Sequence, residues 1–157
     1  MSKEKTIIAY ETKSGVTGES ADIIASVLRD KCGFDVDVVN LKKKPKPDFS
    51  QYRNIFIGSG IRMGRWYGKA KKLLKGDFEG KNVVIFVSAC SAGDPKTHDE
   101  AVNKYLDDVL TKHPNLKPVA TAAFGGRMKV LGKVQADTCD PDKVRAWAAE
   151  VGAKLGE

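Results

Sequence analysis

The chain has 157 residues, of which 41% are hydrophobic and 30% charged, and its 27 lysines and arginines against 20 acidic residues give a net charge of +7. This length and composition predict a single globular domain over residues 1–157 and exclude a disordered, collagen-like or coiled-coil protein. The basic balance suits nucleic acid, a membrane surface or an acidic protein as partner, and by itself it does not choose among them.

Five short runs rich in β-branched residues predict the strands of a sheet. The run Val83–Val87 is apolar without alternation. That pattern is typical of a strand covered on both faces, as in a parallel sheet. In chain order the predicted strands are Thr6–Glu11, Phe34–Val39, Ile55–Gly58, Val83–Ala89 and Pro118–Phe124.

Helical patterns follow four of these strands. Gly33 predicts the end of the first helix, and Thr97 with Glu100 predicts a capping box at the start of the third. Asp140 followed by Pro141 predicts a cap and a first-turn proline for the last helix. The predicted helices cover residues 17–32, 68–75, 97–112 and the segment from Asp140 onwards.

The alternation of strands and helices predicts an α/β fold with a parallel sheet and helices on both faces. Five strands in a chain of this length fit a doubly wound sheet of order 2-1-3-4-5. In such sheets ligands bind beyond the carboxyl ends of the strands, at the switch point between the first and third strands. The candidate site therefore lies in the loops that follow strands one, three and four.

The first loop is Thr12-Lys13-Ser14-Gly15-Val16-Thr17, directly after the first strand. Its hydroxyls surround a glycine that allows a tight turn, and the helix that follows offers free amides and a dipole that attract an anion. This arrangement suits a phosphate monoester, whereas the G-x-x-x-x-G-K-[ST] pattern of nucleoside triphosphate sites does not occur. A plain polar turn, with Thr17 capping the helix, is the alternative.

The second loop, Gly58–Gly68, carries four glycines together with Trp66 and Tyr67. The two aromatic side chains could offer flat faces to a planar ring, or they could pack against the neighbouring helix. The third loop, Ser88–Pro95, is made mostly of small residues. Small residues let backbone amides reach the polar edge of a ligand, although an ordinary turn has the same composition.

Taken together, the three loops resemble those of the flavodoxin family. T-K-S-G-V-T is similar to the family's phosphate-loop pattern T/S-x-T/S-G-x-T, and the other two loops stand where that family holds the flavin ring. The resemblance covers nearly the whole chain. It implies the flavodoxin-like fold and FMN bound without a covalent link. It also implies cofactor-binding roles, and no catalytic ones, for Thr12, Lys13, Ser14, Gly15, Val16, Thr17, Ser59, Gly60, Ile61, Arg62, Met63, Gly64, Trp66, Ser88, Ala89, Cys90, Ser91, Ala92 and Gly93.

The segment I-G-S-G-I-R-M-G-R more narrowly resembles the branch of this family that contains quinone-linked protoporphyrinogen oxidase. That branch carries a long basic and hydrophobic insert after the fifth strand, where this chain has only the loop Gly125–Cys139. The wider resemblance to flavodoxins implies an electron carrier between redox proteins. The alternative is an FMN-dependent oxidoreductase of the protoporphyrinogen oxidase or quinone reductase type, so the sequence leaves open whether the protein is an enzyme.

Charge and cysteine usage add expectations about partners and location. A basic cluster beside the second loop predicts redox partner proteins with acidic docking surfaces, and no familiar motif indicates nucleic acid. Three dispersed cysteines argue against a disulfide framework or a metal site, and Met1–Lys5 shows no signal-peptide pattern. We therefore expect a cytoplasmic protein with no membrane span, and the oligomeric state stays open. The basic cluster comprises Arg62, Arg65, Lys69, Lys71 and Lys72.

Overall fold

The computed structural model describes residues 5–156 of the chain. Residues 1–4, on which the expectation of no signal peptide rests, and Glu157 lie outside the described residues. Among the helices of residues 5–156, none combines the length and the apolar composition that crossing a bilayer requires.

A parallel sheet forms the centre of the fold. Its strands are β1 (Lys5–Glu11), β2 (Asp35–Asn40), β3 (Asn54–Arg62), β5 (Asn82–Ser88) and β6 (Ala120–Phe124), with the short β4 (Arg65–Trp66) paired antiparallel to β3. The parallel strands lie in the order β2-β1-β3-β5-β6, which confirms the predicted doubly wound topology. The switch point therefore falls between β1 and β3.

Two asparagine side chains, the buried Asn54 and the partly buried Asn82, fix the register of the sheet at its amino end. Asn54 Nδ2 donates to Thr6 Oγ1 at 3.2 Å, and Asn82 Nδ2 donates to Asn54 Oδ1 at 2.9 Å. The same residues face one another across β1, β3 and β5. A slip of one residue would break both bonds and turn every core side chain to the wrong face. The carboxyl ends of the three strands are thereby held in alignment.

Helices cover both faces of the sheet, as the sequence predicts. Gly33, with a φ of 70°, ends the first helix, and the Asp140 side chain accepts the amide of Lys143 at the start of the last. The first and last helices pack on one face, while the others pack on the opposite face. The helices are α1 (Val16–Cys32), α2 (Gly68–Leu73), α3 (His98–Val102), α4 (Asp108–Thr111) and α5 (Pro141–Leu155).

The third predicted helix departs from its expected form in two ways. A π turn, Asn103–Asp107, separates α3 from α4, so 97–112 is not one regular α-helix. The capping box is also wrong, because the Thr97 hydroxyl donates to the Ser91 carbonyl at 2.6 Å and makes no cap bond, while Glu100 is exposed. The Thr97 hydroxyl therefore stabilises the third loop and does not cap the helix.

Strand β3 continues four residues beyond its predicted end. It runs through Arg62, turns at Met63 and Gly64, and pairs back through β4. Both turn residues have positive φ, 52° and 76°. This is the backbone of a tight two-residue hairpin turn, which glycine adopts readily and methionine rarely. The second loop is thus a short hairpin with Met63 at its apex.

A second hairpin occupies the segment Gly125–Cys139, which the sequence predicts as a loop. Its turn, Leu131-Gly132, also has positive φ at both residues, 51° and 78°. The strands pair with a register shift between Met128 and Lys129. They are β7 (Arg127–Val130) and β8 (Lys133–Asp137), and they form a separate two-stranded sheet.

Candidate functional site

A cleft of about 690 Å³ lies at the carboxyl ends of β1, β3 and β5. Its volume falls in the range of about 300–1,000 Å³ that is usual for small-molecule sites. Parts of all three predicted loops line it, together with the π turn and the start of β7. The predicted site residues that line the cleft are Thr12, Lys13, Ser14, Val16, Thr17, Gly60, Ile61, Arg62, Met63, Gly64, Ser88, Ala89, Cys90 and Ser91.

The first loop is built to present helix amides to the cleft. Thr12 Oγ1 accepts the amide of Gly15 at 3.1 Å and so closes the turn. Gly15, with a φ of 90°, is the residue at the helix start and has no side-chain cap. The first intrahelical bond runs from the Glu19 amide to the Gly15 carbonyl, so the preceding amides of the helix have no intrahelical partner.

The Thr17 hydroxyl lies at this helix start without a partner. Thr17 is fully buried, and its Oγ1 makes no hydrogen bond within residues 5–156. A buried polar atom that lacks a partner is costly and rare in native proteins. Because Thr17 lines the cleft, an anion or polar ligand held there would satisfy it. The alternative interpretation, that Thr17 caps the helix, is wrong since Gly15 takes that position.

The third loop carries a second such hydroxyl. Ser88 Oγ is buried at the end of β5, lines the cleft, and has no hydrogen-bond partner among the described residues. The loop around it is held by side chains from elsewhere. Thr97 donates to the Ser91 carbonyl, Thr138 Oγ1 donates to the Cys90 carbonyl at 2.9 Å, and His98 Nδ1 lies 2.6 Å from the carbonyl oxygen of Ala92.

Five of the predicted residues do not line the cleft. Ser59 is fully buried, and its hydroxyl accepts the Tyr67 amide and donates to the Gly60 carbonyl. Its observed contacts are therefore internal to the second loop. Gly15 is the first-loop residue directly before α1, and Ala92 and Gly93 lie in the 3₁₀ turn Cys90–Gly93 that follows β5. The fifth is Trp66.

The structure places Trp66 in the core. Its side chain is only 8% exposed, and its indole N–H donates to the carbonyl of Tyr105 at 2.8 Å. The residue that lines the cleft in its place is Tyr67, whose ring packs close to Gly60. Burial raises the pKa of the Tyr67 hydroxyl, so it stays protonated at neutral pH. Trp66 at the end of β4 and Tyr67, which follows it, thus take opposite roles.

We expect Trp66→Phe to lower the free energy of unfolding by about 1–3 kcal/mol, because the Tyr105 carbonyl loses its donor and packing is reduced. Urea titration measures this change. The affinity for a cleft ligand stays within a few-fold of wild type, whereas Tyr67→Leu lowers it. Unchanged stability together with a tenfold weaker ligand would instead place Trp66 in the site.

Two groups of lining residues come from outside the three predicted loops. Tyr105 reaches the cleft from the π turn, and nothing in the sequence indicates it. Gly126 to Lys129 reach it from the second hairpin, in the segment 125–139 that the sequence offers, beside Trp66 or a partner, as the cover of one ring face. No periodicity signals a π turn, because its extra residue shifts the helical phase locally. The position of 125–139 after the last sheet strand was the only available signal for the hairpin.

One buried carboxylate has a structural role at the edge of the site. Glu11, at the end of β1, accepts the amides of Lys69 and Ala70 through Oε1 at 2.9 and 3.1 Å. It thereby holds the start of α2 against the sheet. This contact joins the end of β1 to the element that follows the second loop.

The charge of the cleft lining is entirely positive. Lys13, Arg62, Arg127 and Lys129 line it, and none of its described lining residues is aspartate or glutamate. Arg127 is compensated, because it contacts Glu19 at 3.0 Å and Asp137 at 3.2 Å. The other three cations make no ion pair with a carboxylate within residues 5–156. The cleft therefore favours an anionic ligand or developing negative charge.

The Cys90 thiol is expected to be inert. Burial, followed by the nearby Asp137 charge, raises its pKa, and burial raises that of Cys139 to about 12. Both thiols therefore stay protonated at neutral pH, and the thiolate is the reactive form. We expect iodoacetamide to label both far more slowly in the native protein than in urea, as mass spectrometry of the labelled peptides will show. Equal rates would indicate an activated thiol.

Comparison with known proteins agrees with this geometry. The flavodoxin domain family matches residues 7–135 of the chain. The protoporphyrinogen IX dehydrogenase [quinone] of Escherichia coli is 32% identical over 71 residues, which are 45% of this chain and 39% of that protein. The match thus spans well under half the length of this relative.

Solved flavodoxin structures share the fold. Flavodoxin 1 of Bacillus cereus has a TM-score of 0.63 at 20% identity, over 96% of this chain and 97% of its own. Flavodoxin 2 of the same organism has a TM-score of 0.64 at 22% identity, over 96% and 99%. A Fusobacterium nucleatum flavodoxin variant bound to flavin mononucleotide has a TM-score of 0.60 at 19% identity, over 97% of each chain.

Proposed function

This chain belongs to the flavodoxin family, and from that premise we propose that it carries electrons between redox proteins. The cofactor is FMN. FMN supplies one- and two-electron redox chemistry when bound, and the protein supplies binding, orientation and the charge environment.

The observation that carries the proposal is the pair of unpartnered buried hydroxyls, Thr17 Oγ1 and Ser88 Oγ. They lie in two different loops of one cleft, and Thr17 is in the first turn of α1, whose amides have no intrahelical partner. A ligand with an anionic group at one end and polar ring edges at the other would satisfy both. FMN has this distribution of polar groups, so the cleft fits it.

We assign parts of the cofactor to the three loops. The first loop, with the hydroxyls of Ser14 and Thr17 and the amides of α1, holds the phosphate. The second loop, including Tyr67, lies along the ring, and the backbone of the third loop takes the polar ring edge. Ser59 and Trp66 support the second loop from behind. Gly15, Ala92 and Gly93 shape their loops.

The lining favours a carrier over a substrate-specific oxidoreductase. No carboxylate or histidine occurs among the described lining residues, and burial raises the pKa of both Tyr67 and Cys90. An enzyme that removes protons from a substrate needs a group that titrates near its working pH. The second candidate, oxidation of a porphyrinogen or reduction of a quinone, is favoured by the partial match to the E. coli dehydrogenase.

Two measurements on the purified protein separate these functions. The visible absorption spectrum after reconstitution reports whether FMN binds. Steady-state turnover with protoporphyrinogen and a soluble quinone then tests catalysis, and we expect no more than the slow background of free FMN. Turnover that saturates with porphyrinogen and far exceeds the FMN background would support the enzyme and overturn the carrier.

The partners of a carrier with this surface are proposed to be acidic. Arg62 and Arg65 lie beside the cleft mouth, and Lys69, Lys71 and Lys72 follow on α2, all with exposed side chains. Opposite charges on two proteins raise their association rate, and salt screens this effect. We expect reduced protein to transfer electrons to an acidic haem protein at a rate that falls steeply as salt increases. Stopped-flow kinetics measures it.

The matched variants are two charge reversals of equal size. Arg62→Glu/Arg65→Glu is expected to slow association about tenfold or more at low salt. Lys112→Glu/Lys117→Glu changes two exposed lysines near the amino ends of the strands and is expected to slow it much less. Rates that ignore salt, or equal losses in the two variants, would contradict docking through this surface.

A further inference from the structure

The hairpin of β7 and β8 ends in an exposed apolar tip. Leu131, at the turn, is 98% exposed, and Val130 and Val134 beside it are about half exposed. The backbone of Leu131 has the positive φ of a tight hairpin turn, where asparagine, aspartate or glycine is usual. An apolar β-turn residue in that conformation, with almost no contact, contributes nothing evident to the stability of the fold.

The base of the hairpin, by contrast, is fixed to the site. Arg127 contacts Glu19 on α1 and Asp137 on the opposite strand. Thr138 Oγ1 accepts the Gly126 amide at 3.1 Å and donates to the Cys90 carbonyl at 2.9 Å. An isolated two-stranded hairpin is only marginally stable in water, so these contacts are what hold the tip in place.

The tip is also basic. Lys129 and Lys133 flank the turn, and residues 128–136 contain no aspartate or glutamate. Lys129 pairs with Val134, and Val130 pairs with Lys133. Successive pairs on a β-ribbon point to opposite faces, so each face carries one valine and one lysine. A protein groove that covered one face would leave the other valine in water.

We propose that this tip docks into the headgroup layer of an anionic membrane. A lipid surface surrounds an inserted tip, so it covers the apolar side chains on both faces. The aliphatic stems of the lysines lie along the same layer while their ammonium groups contact lipid phosphates. Docking brings the mouth of the cleft to the membrane surface, because Met128 and Lys129 line that cleft.

This proposal does not rest on the proposed function, since it concerns the hairpin alone. It is tested by co-sedimentation of the full chain with vesicles, with and without FMN. One set of vesicles is phosphatidylcholine with one-third phosphatidylglycerol, and the other is phosphatidylcholine alone. We expect sedimentation with the anionic vesicles, much weaker binding to the neutral ones, and no dependence on FMN.

Leu131→Asn is the decisive variant, because asparagine suits the turn and the fold is expected to be at least as stable. We expect its partition onto anionic vesicles to fall about tenfold or more, as the transfer of one leucine side chain is lost. For Lys129→Gln/Lys133→Gln, we expect the partition onto anionic vesicles to fall about fivefold for each lysine replaced. The control Lys112→Gln/Lys117→Gln removes the same charge near the amino ends of the strands, and we expect it to bind anionic vesicles nearly as well as wild type.

Three results would overturn the proposal. They are a wild-type protein that stays in the supernatant with anionic vesicles, a Leu131→Asn variant that binds like wild type, and a control pair that loses as much binding as the tip pair. If tip variants bind vesicles normally but lose electron transfer to the acidic haem protein, the tip docks on a protein instead.

Discussion

Replacing Thr17 by valine lowers the affinity for FMN by about 10- to 100-fold and leaves the apoprotein at least as stable as wild type. Both effects come from one atom. Thr17 Oγ1 is buried without a partner, so its removal costs the apoprotein no hydrogen bond. A hydrogen bond to a charged group contributes about 1.5–3 kcal/mol, which sets the loss of affinity. Fluorescence titration with FMN and urea unfolding of the apoprotein measure the two effects.

Thr6→Val is the matched control, because Thr6 is equally buried but accepts a hydrogen bond from Asn54 Nδ2. The same change there leaves a buried amide without its acceptor and is expected to lower the free energy of unfolding by about 1–3 kcal/mol. FMN affinity is expected to stay near wild type, since Thr6 lies at the opposite end of β1. Thr17→Val is thus expected to weaken FMN binding without loss of stability, and Thr6→Val to lower stability without weakening FMN binding.

Riboflavin, which lacks the phosphate, identifies the group that Thr17 contacts. We expect riboflavin to bind wild type about 1,000-fold more weakly than FMN, because several hydrogen bonds to a charged group are lost at a helix start. Thr17→Val is expected to leave riboflavin affinity almost unchanged. If valine weakens both ligands equally, the hydroxyl contacts another part of the cofactor and the assignment of the first loop fails.

Neutralising the three unpaired cations of the cleft is expected to lower the potential of the second one-electron reduction by roughly 100 mV. Lys13, Arg62 and Lys129 line the cleft, and no carboxylate among residues 5–156 pairs with them. A unit charge at about 10 Å and an effective dielectric of about 40 contributes roughly 0.8 kcal/mol, or about 35 mV for one electron. Positive surroundings stabilise the anionic form of the fully reduced cofactor, so removing them disfavours it.

The variant Lys13→Gln/Arg62→Gln/Lys129→Gln tests this effect by spectroelectrochemical titration. Its control replaces Lys75, Lys112 and Lys117 by glutamine at the opposite edge of the sheet, around a separate cavity. The control loses the same net charge at a greater distance from the cleft, so we expect its second reduction potential to stay within about 30 mV of the wild-type value. A potential that is unchanged or higher in the cleft variant, or shifted equally in the control, contradicts the electrostatic explanation.

Much of the fold and the first loop could be predicted from the sequence, because local patterns determine them. The unbroken apolar run Val83–Val87 indicates a strand covered on both faces, and that strand lies inside the sheet. Gly33 and Asp140 mark helix ends through backbone conformation and capping, which depend on nearest neighbours. The hydroxyls of the first loop lie between a strand and a helix, so their place at the cleft follows from chain order.

Only the tertiary structure decided which side chains enter the cleft from the later segments. Trp66 and Tyr67 are neighbours with the same apparent suitability, and it is the pairing of β4 with β3 that turns the first into the core and the second outward. Tyr105 arrives through a π turn, and Thr138 closes the third loop from 48 residues away in sequence. Such contacts join residues distant along the chain, so no local pattern in the sequence encodes them.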